Sequence, residues 1–394
     1  MCGLLRREGS EEKSGHAGGD DQIGLRATAA DVIHHTEGSN VIQSRNEPNR
    51  NGSLRLTPCL VTQYGNWRKT EFTMAKIVFA AGSSHGPTIQ STPDKWLQLV
   101  ERDKRDPRYD FQEVLRNARP GLDREIRPEV LEQRHKTIHA DLDKLTAVIA
   151  SVPVDVMIVV SNIHRVREED NHPVFSVFRA ESFGTAKMSQ RLFNANAKTF
   201  EETGRAPEEI KAVRPGHPAL ANHLIETLID EDFDVACTDF PQGVPIDDAF
   251  AFPDEWMLKR NNIPIVPFQI SRDLPNQAKA SRCYELGVAL RRAVEKWPVD
   301  ARVGLIASGG LSHQVVDEEL DKQVIDALVS GDEKTLRGLE RKRLNRGPGT
   351  PEILNWVTVA AAMAPTRMKL VGYTPCYRSI AGTGHGICFG YWKN

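Results

Sequence analysis

The stretch VGLIASGGLSHQ, Val303 to Gln314, decides how the rest of this chain is read. Its first half, Val303 to Ala307, is a short apolar run of the kind that forms a buried strand. Gly309-Gly310 interrupts the run, and the turn delivers Ser312 and His313 just past the strand's end. In an open α/β sheet, ligands collect in the crevice outside the carboxyl ends of the strands. His313 is therefore a candidate functional side chain by position alone.

The arrangement occurs twice more. Lys76 to Ala81 reads as a first strand, ended by Gly82-Ser83-Ser84-His85-Gly86-Pro87, and Val154 to Val160 reads as a buried strand running into Ser161-Asn162-Ile163-His164. Each histidine alone is accounted for by a hydrogen-bonded loop or core position. Three at equivalent strand ends are brought together by one sheet edge. His and carboxylate ligands suit non-haem Fe(II), Mn(II) and Zn(II) sites. The carboxylate candidate is Glu352, where Gly347-Pro348-Gly349-Thr350-Pro351 opens a helix with Thr350 as cap and Pro351 in the first turn. The competing reading of Glu352 is a favourable interaction with the helix dipole.

Working outward, Pro128 to Ala150 is predicted as a long helix with Ile138, Leu142, Leu145 and Ile149 on one face. A polar loop through Asn171 leads to a short strand, Val174 to Phe178. A helix over His217 to Asp230 follows, then strands Phe233 to Cys237 and Ile263 to Ile270, separated by a Pro- and Phe-rich segment, Pro241 to Pro253. Gln277 to Trp297 and Asp317 to Arg343 read as helical, and the glycine- and aromatic-rich tail, Cys376 to Trp392, is expected to cover a pocket. Strands alternating with helices define an α/β class: one domain with a central, mixed β-sheet flanked by helices.

Residues 1–73 differ. They are rich in Gly, Ser, Asn and charge, and disorder is expected there. Met74 opens the first strand and is expected to be the natural start, with the preceding residues an upstream extension of the reading frame; the domain is then 74–394. His16, His34 and His35 in the extension are not expected to bind metal.

The chain has 394 residues with 51 Lys and Arg against 53 Asp and Glu, a net charge of -2 that gives no reason to expect nucleic acid or an anionic membrane as partner. Six cysteines without a CxxC pair read as reduced intracellular thiols. No apolar run approaches the roughly 20 residues that span a bilayer, and no secretory signal follows Met1. The expectation is a soluble, cytoplasmic protein without a membrane partner.

Two motifs compete. Gly82-Ser83-Ser84-His85-Gly86 matches G-x-S-x-G formally, with Ser84 as nucleophile. Pro87 and Pro93 are expected to discourage the helix that such an elbow feeds. Gly382-Thr383-Gly384-His385-Gly386 has no helical pattern behind it, so a dinucleotide site is not expected. His135 and His139 share a helix face without the glutamate of a zincin motif, and are read as a solvated or packing face.

These residues resemble the class III (LigB-type) extradiol ring-cleavage dioxygenases. SSHGP (83–87), DVMIVVSNIHR (155–165), ASGGLSHQ (307–314) and PEILNW (351–356) are similar to the segments that carry the family's metal and catalytic residues. IPIVPFQI with PNQAKASRCYELG (263–287), and YRSIAGTGHGICFGYW (377–392), share its character. Among subgroups the resemblance is to the gallate and 3-O-methylgallate dioxygenases. It covers Met74 to the C-terminus.

The resemblance implies a LigB-like fold, Fe(II) held by His85, His164 and Glu352, and His313 as the catalytic acid–base. The implied partners are O2 and an aromatic diol, a carboxylated one such as 3-O-methylgallate, gallate or protocatechuate; a homodimer is left open. Ser312, Tyr377 and Arg378 are candidate substrate contacts. Two departures stand out. Asn162-Ile163 precede His164 where many relatives carry acidic or amide residues, and Asp248 in Asp247-Asp248-Ala249-Phe250 stands where many have a substrate-contacting histidine. The alternatives are a hydrolase using Ser84 or a metal-activated water, and a non-enzymatic metal- or ligand-binding relative.

Overall fold

In the computed structural model, residues 73–164, 173–185, 212–239, 246–259 and 261–393 are described below. The expectations for residues 1–72, for the polar loop through Asn171 and for the segment 241–245 fall outside them.

Two apolar runs of the sequence sit side by side at the centre of the fold. β2 (Val156–Ser161) and β8 (Arg302–Ser308) pair in parallel. Every residue of β2 is buried, as expected of a parallel strand covered on both faces. β1 (Lys76–Ser83) lies on the other side of β8, and β7 (Ile265–Ile270) on the other side of β2, both in parallel. β3 (Phe175–Arg179) adds antiparallel to β7, and β6 (Val235–Asp239) pairs in parallel with β3. With β10 (Lys369–Tyr377) and β11 (Thr383–Lys393), the sheet is mixed and has nine strands, in the order β10-β11-β1-β8-β2-β7-β3-β6 with β9 (His313–Val315) pairing with β11. A separate ladder joins β4 (Ser182–Thr185) to β5 (Ala212–Pro215).

Strand alternation sorts the core into two layers. Val156, Ile158 and Val160 of β2 face the helices Pro218–Asp230, Ala280–Glu295, Glu318–Ser330 and Ile353–Met363. Met157 and Val159 face the long helix Pro128–Ala150, whose Ile138, Leu142, Leu145 and Ile149 are buried against them. Among the described residues no helix is long and apolar enough to cross a membrane, and Cys237, Cys283, Cys376 and Cys388 are free thiols.

Two expectations are corrected, and the tail joins the sheet. β10 (Lys369–Tyr377) and β11 (Thr383–Lys393) of the tail form a hairpin, and β11 inserts between β10 and β1. Its glycines hid a strand that is buried along most of its length, so no polar–apolar alternation was visible. Pro87 and Pro93 do not discourage helix. They begin the helices Pro87–Gln90 and Pro93–Asp103, because a first-turn proline forfeits no helical hydrogen bond. Thr350 does not cap the helix through its side chain; it lies within a 3-10 turn, Thr350–Glu352, that leads into Ile353–Met363.

Candidate active site

Register places the site. Ser83 of β1 is level with Ser308 of β8, Val160 of β2 with Ala307, and Ser161 with Gln269 of β7. These parallel strands therefore end at one edge, and the loops just beyond carry His85, His164, Arg272 and the Gly309–His313 turn. The turn is tied to the edge where the Gly309 N–H donates to Ser83 O at 2.9 Å. Glu352 enters from the start of the Ile353–Met363 helix and is fully buried.

The hydrogen bonds around each imidazole assign its protons. Ser308 Oγ donates to Ala249 O at 2.7 Å, so it accepts from His85 Nδ1–H at 3.0 Å and leaves Nε2 as a bare lone pair. His164 Nδ1 stands 3.4 Å from Asp247 Oδ1, and its backbone N–H donates to Asp247 Oδ2 at 3.0 Å. A carboxylate at Nδ1 fixes the proton there and frees Nε2. The two Nε2 atoms face each other at 3.2 Å. Glu352 Oε1 is 3.0 Å from His164 Nε2, and Oε2 is 3.5 Å from His85 Nε2.

With these tautomers two lone pairs and a carboxylate converge, and one ligand atom from each lies within 4.8 Å of the others. A cation satisfies all three at once. The donor set, two imidazoles and one carboxylate, is the facial triad that suits a non-haem divalent metal. Burial pushes the His85 pKa down to about 3, keeping the ring neutral as a ligand must be. Burial alone would raise the Glu352 pKa; the facing His313, His85 and His164 outweigh it and hold the carboxyl well below its usual range.

Glu352 is oriented from two sides. Gly310 N–H donates to Oε2 at 3.0 Å, and Arg272 Nη1 donates to Oε1 at 3.0 Å. Gly309 has φ 111°, and a Cβ there would stand 2.2 Å from Glu352 Oε2, so the approach requires glycine. His313 Nδ1–H donates to Leu311 O at 3.1 Å, leaving Nε2 free, 3.4 Å from Glu352 Oε1. The His313 backbone is clamped by Thr350: its N–H donates to Thr350 Oγ1 at 3.1 Å, and that hydroxyl donates to His313 O at 3.1 Å.

His85, His164, Glu352 and His313 are thus brought together. Other candidates are engaged elsewhere. Ser312 Oγ donates to Asp321 Oδ2 at 2.6 Å. Arg378 is buried in a two-pronged pair with Asp103 at 2.7 and 2.6 Å, and Tyr377 Oη donates to Glu318. Asp248 opens the helix Asp248–Phe252 and is partly exposed; it is Asp247, the N-cap, that faces His164. Ser84 Oγ donates to Gly386 O at 3.3 Å and accepts from Cys388 N–H at 3.0 Å, so the hydroxyl serves β11 rather than a base.

Sequence reasoning missed Asp247, Arg272 and Asp321. Arg272 had a legible signal, since it lies two residues past β7 at the same sheet edge. Asp247 supplies the carboxylate absent from Asn162-Ile163, and only the fold brings it to His164.

The chain belongs to the family described as the catalytic LigB subunit of aromatic ring-opening dioxygenase, whose model matches residues 124–384. That span holds His164, His313 and Glu352 and leaves His85 outside it. A curated gallate dioxygenase from Pseudomonas putida is 33% identical over 194 residues, covering 46% of this chain and 56% of the relative. The chain thus matches little more than half the length of that relative. A solved structure of an uncharacterized Escherichia coli K12 protein superposes with a TM-score of 0.43 at 15% identity, covering 80% of this chain and 99% of the other.

Proposed function

We propose that the chain is a non-haem Fe(II)-dependent extradiol dioxygenase that opens a catechol-type ring and inserts both atoms of O2. The proposed substrate is carboxylated, of the gallate, 3-O-methylgallate or protocatechuate kind. The observation that carries this reading is the convergence of His85 Nε2, His164 Nε2 and Glu352 Oε1, with the free Nε2 of His313 3.4 Å from the same carboxylate oxygen. Membership of the LigB family and the similarity to a gallate dioxygenase support the chemistry.

His85, His164 and Glu352 would hold the metal on one face. Bound there, Fe(II) supplies the redox coupling between an electron-rich ring and O2 and leaves positions open for both. His313 Nε2 takes the proton of a ring hydroxyl, and its Nδ1–H, tied to Leu311 O, keeps the ring oriented as the charge moves onto it. The same imidazole then returns the proton to oxygen, a double role open to a ring that carries a donor on one nitrogen and an acceptor on the other. Arg272 places a permanent, buried positive charge beside Glu352, which favours an anionic diol over a neutral one at the adjacent positions.

The test is anaerobic loading with Fe(II), addition of gallate, 3-O-methylgallate or protocatechuate, and admission of air. O2 uptake and loss of ring absorbance are followed together. One O2 consumed per ring lost is expected. Bound Fe(II) with no O2 uptake for any of the three would refute the substrate class, and no Fe(II) binding would refute the metal centre.

A further inference from the structure

We propose that Asp321 is the positioning residue of the candidate base, anchoring the Ser312–His313 turn so that the imidazole is held toward Glu352. The inference rests on the catalytic role given above to His313.

Asp321 lies in the first turns of the helix Glu318–Ser330, on its inner face, and is completely buried. Both its oxygens point at the turn that carries His313. Oδ1 accepts the Ser312 backbone N–H at 2.8 Å, and Oδ2 accepts the Ser312 hydroxyl at 2.6 Å. Tyr373 Oη on β10 donates to the same Oδ2 at 2.7 Å. Ser312 is fixed on its remaining sides: its Oγ accepts Asp317 N–H at 2.9 Å, and its carbonyl accepts Gly386 N–H at 2.8 Å. Every polar group of the residue before His313 is therefore engaged, and two of them end on one carboxylate.

No cationic side chain pairs with Asp321 among the described residues, so this is a buried charge held by neutral donors alone. Burial pushes its carboxyl up to about 6, which records the strain of keeping it there. A carboxylate in that setting costs stability that an apolar residue would not. What it supplies instead is direction: two donors from the turn and one from β10 meet on this carboxylate, while Asp317 N–H of the same helix holds the Ser312 hydroxyl, and these bonds are made together only with the turn in one place. The fold makes room for it at Gly386, where a Cβ would stand 2.1 Å from Asp321 Oδ2.

Leu311, between the two glycines and Ser312, ties the anchor to the imidazole. Leu311 O, one residue earlier, accepts His313 Nδ1–H at 3.1 Å, and Leu311 N–H donates to Gly386 O at 3.0 Å. Releasing Ser312 would therefore release the carbonyl that sets the His313 tautomer. A displacement of about 1 Å in such a group can cost about 10²-fold in rate.

The experiment compares the Fe(II)-loaded full chain with D321N, Y373F and the double variant on gallate, and follows amide hydrogen exchange at Leu311 to Val315. D321N is expected to lower kcat about 10²-fold with Fe(II) stoichiometry and KM unchanged, and to speed exchange in the turn but not in β1 or β2. Y373F removes one of the three donors and is expected to have a smaller effect in the same direction. The double variant is expected to be no worse than D321N, since both act through one network. Wild-type kcat in D321N would overturn the proposal, as would loss of kcat in step with loss of bound Fe(II). Should D321N fail to fold, Y373F decides by the same readouts. Should the wild type open no aromatic diol, the dioxygenase reading fails on its own; exchange then decides the anchor, sustained by a loosened turn and overturned by an unchanged one.

Discussion

His85 Nε2 and His164 Nε2 face each other at 3.2 Å, with Ser308 Oγ 3.0 Å from Nδ1 of the first ring and Asp247 Oδ1 3.4 Å from Nδ1 of the second. Two acceptors this close repel unless a cation lies between them and Glu352. H85A, H164A and E352A are each expected to lower Fe(II) affinity by at least about 10²-fold, more than loss of an outer partner does. Metal analysis after anaerobic desalting checks this, and full occupancy in all three variants would remove the ligand assignment.

Asp247 meets His164 at Nδ1 and the backbone N–H, on the side of the ring away from Glu352. D247N keeps the shape and the N-cap but weakens the hold on Nδ1–H. Fe(II) affinity is expected to fall about 10- to 100-fold, with the fold intact by circular dichroism. An unchanged affinity would mean that Asp247 serves only as the cap of Asp248–Phe252.

Arg272 and Glu352 form a buried ion pair at 3.0 Å, the two side chains 8% and 0% exposed. Removing one partner of such a pair costs about 3–5 kcal/mol. R272M is expected to lose stability of that order in the metal-free protein, read by urea denaturation. With metal loaded the loss is expected to shrink, because a divalent cation then compensates the carboxylate.

H313A leaves the three converging ligand atoms in place. It is expected to retain Fe(II) and lose about 10²- to 10⁴-fold in kcat, the usual contribution of a general acid–base. Stoichiometric metal with undiminished turnover would remove the role given to His313.

Acid should weaken the metal-free protein through its buried histidines. Burial lowers the His85 pKa from 6.5 to about 3, and that of His385 well below 6.5 in the same direction. Between those values the unfolded chain binds protons that the folded chain refuses, so stability falls as pH drops below about 6.5. The melting temperature of the metal-free protein is expected to decline over that range, and H85N to flatten the decline. A profile unchanged by H85N would show that other groups set it.

Much of the sheet was legible because its central strands are short apolar runs that only a doubly covered sheet can bury. The helix Pro128–Ala150 was legible to the residue, since a first-turn proline and a regular apolar stripe mark it. Elsewhere the local signal was ambiguous. Gly384, Gly386 and Gly390 kept β11 from being read as a strand, because in a strand packed this closely glycine is chosen for room rather than for a turn. The proline at 87 was misread for a related reason: its effect depends on whether it falls inside a helix or at its first turn.

The sequence by itself determined which groups stand at strand ends: His85, His164 and His313 follow apolar runs, and that is a property of local order. Only the tertiary structure decided which partners orient them. Asp247 reaches His164, Arg272 reaches Glu352 and Asp321 reaches Ser312 across gaps in the chain that no spacing rule spans. The physical reason is that a ligand's position is set by the backbone that carries it. Its proton and its charge are set by whatever the packed core places behind it.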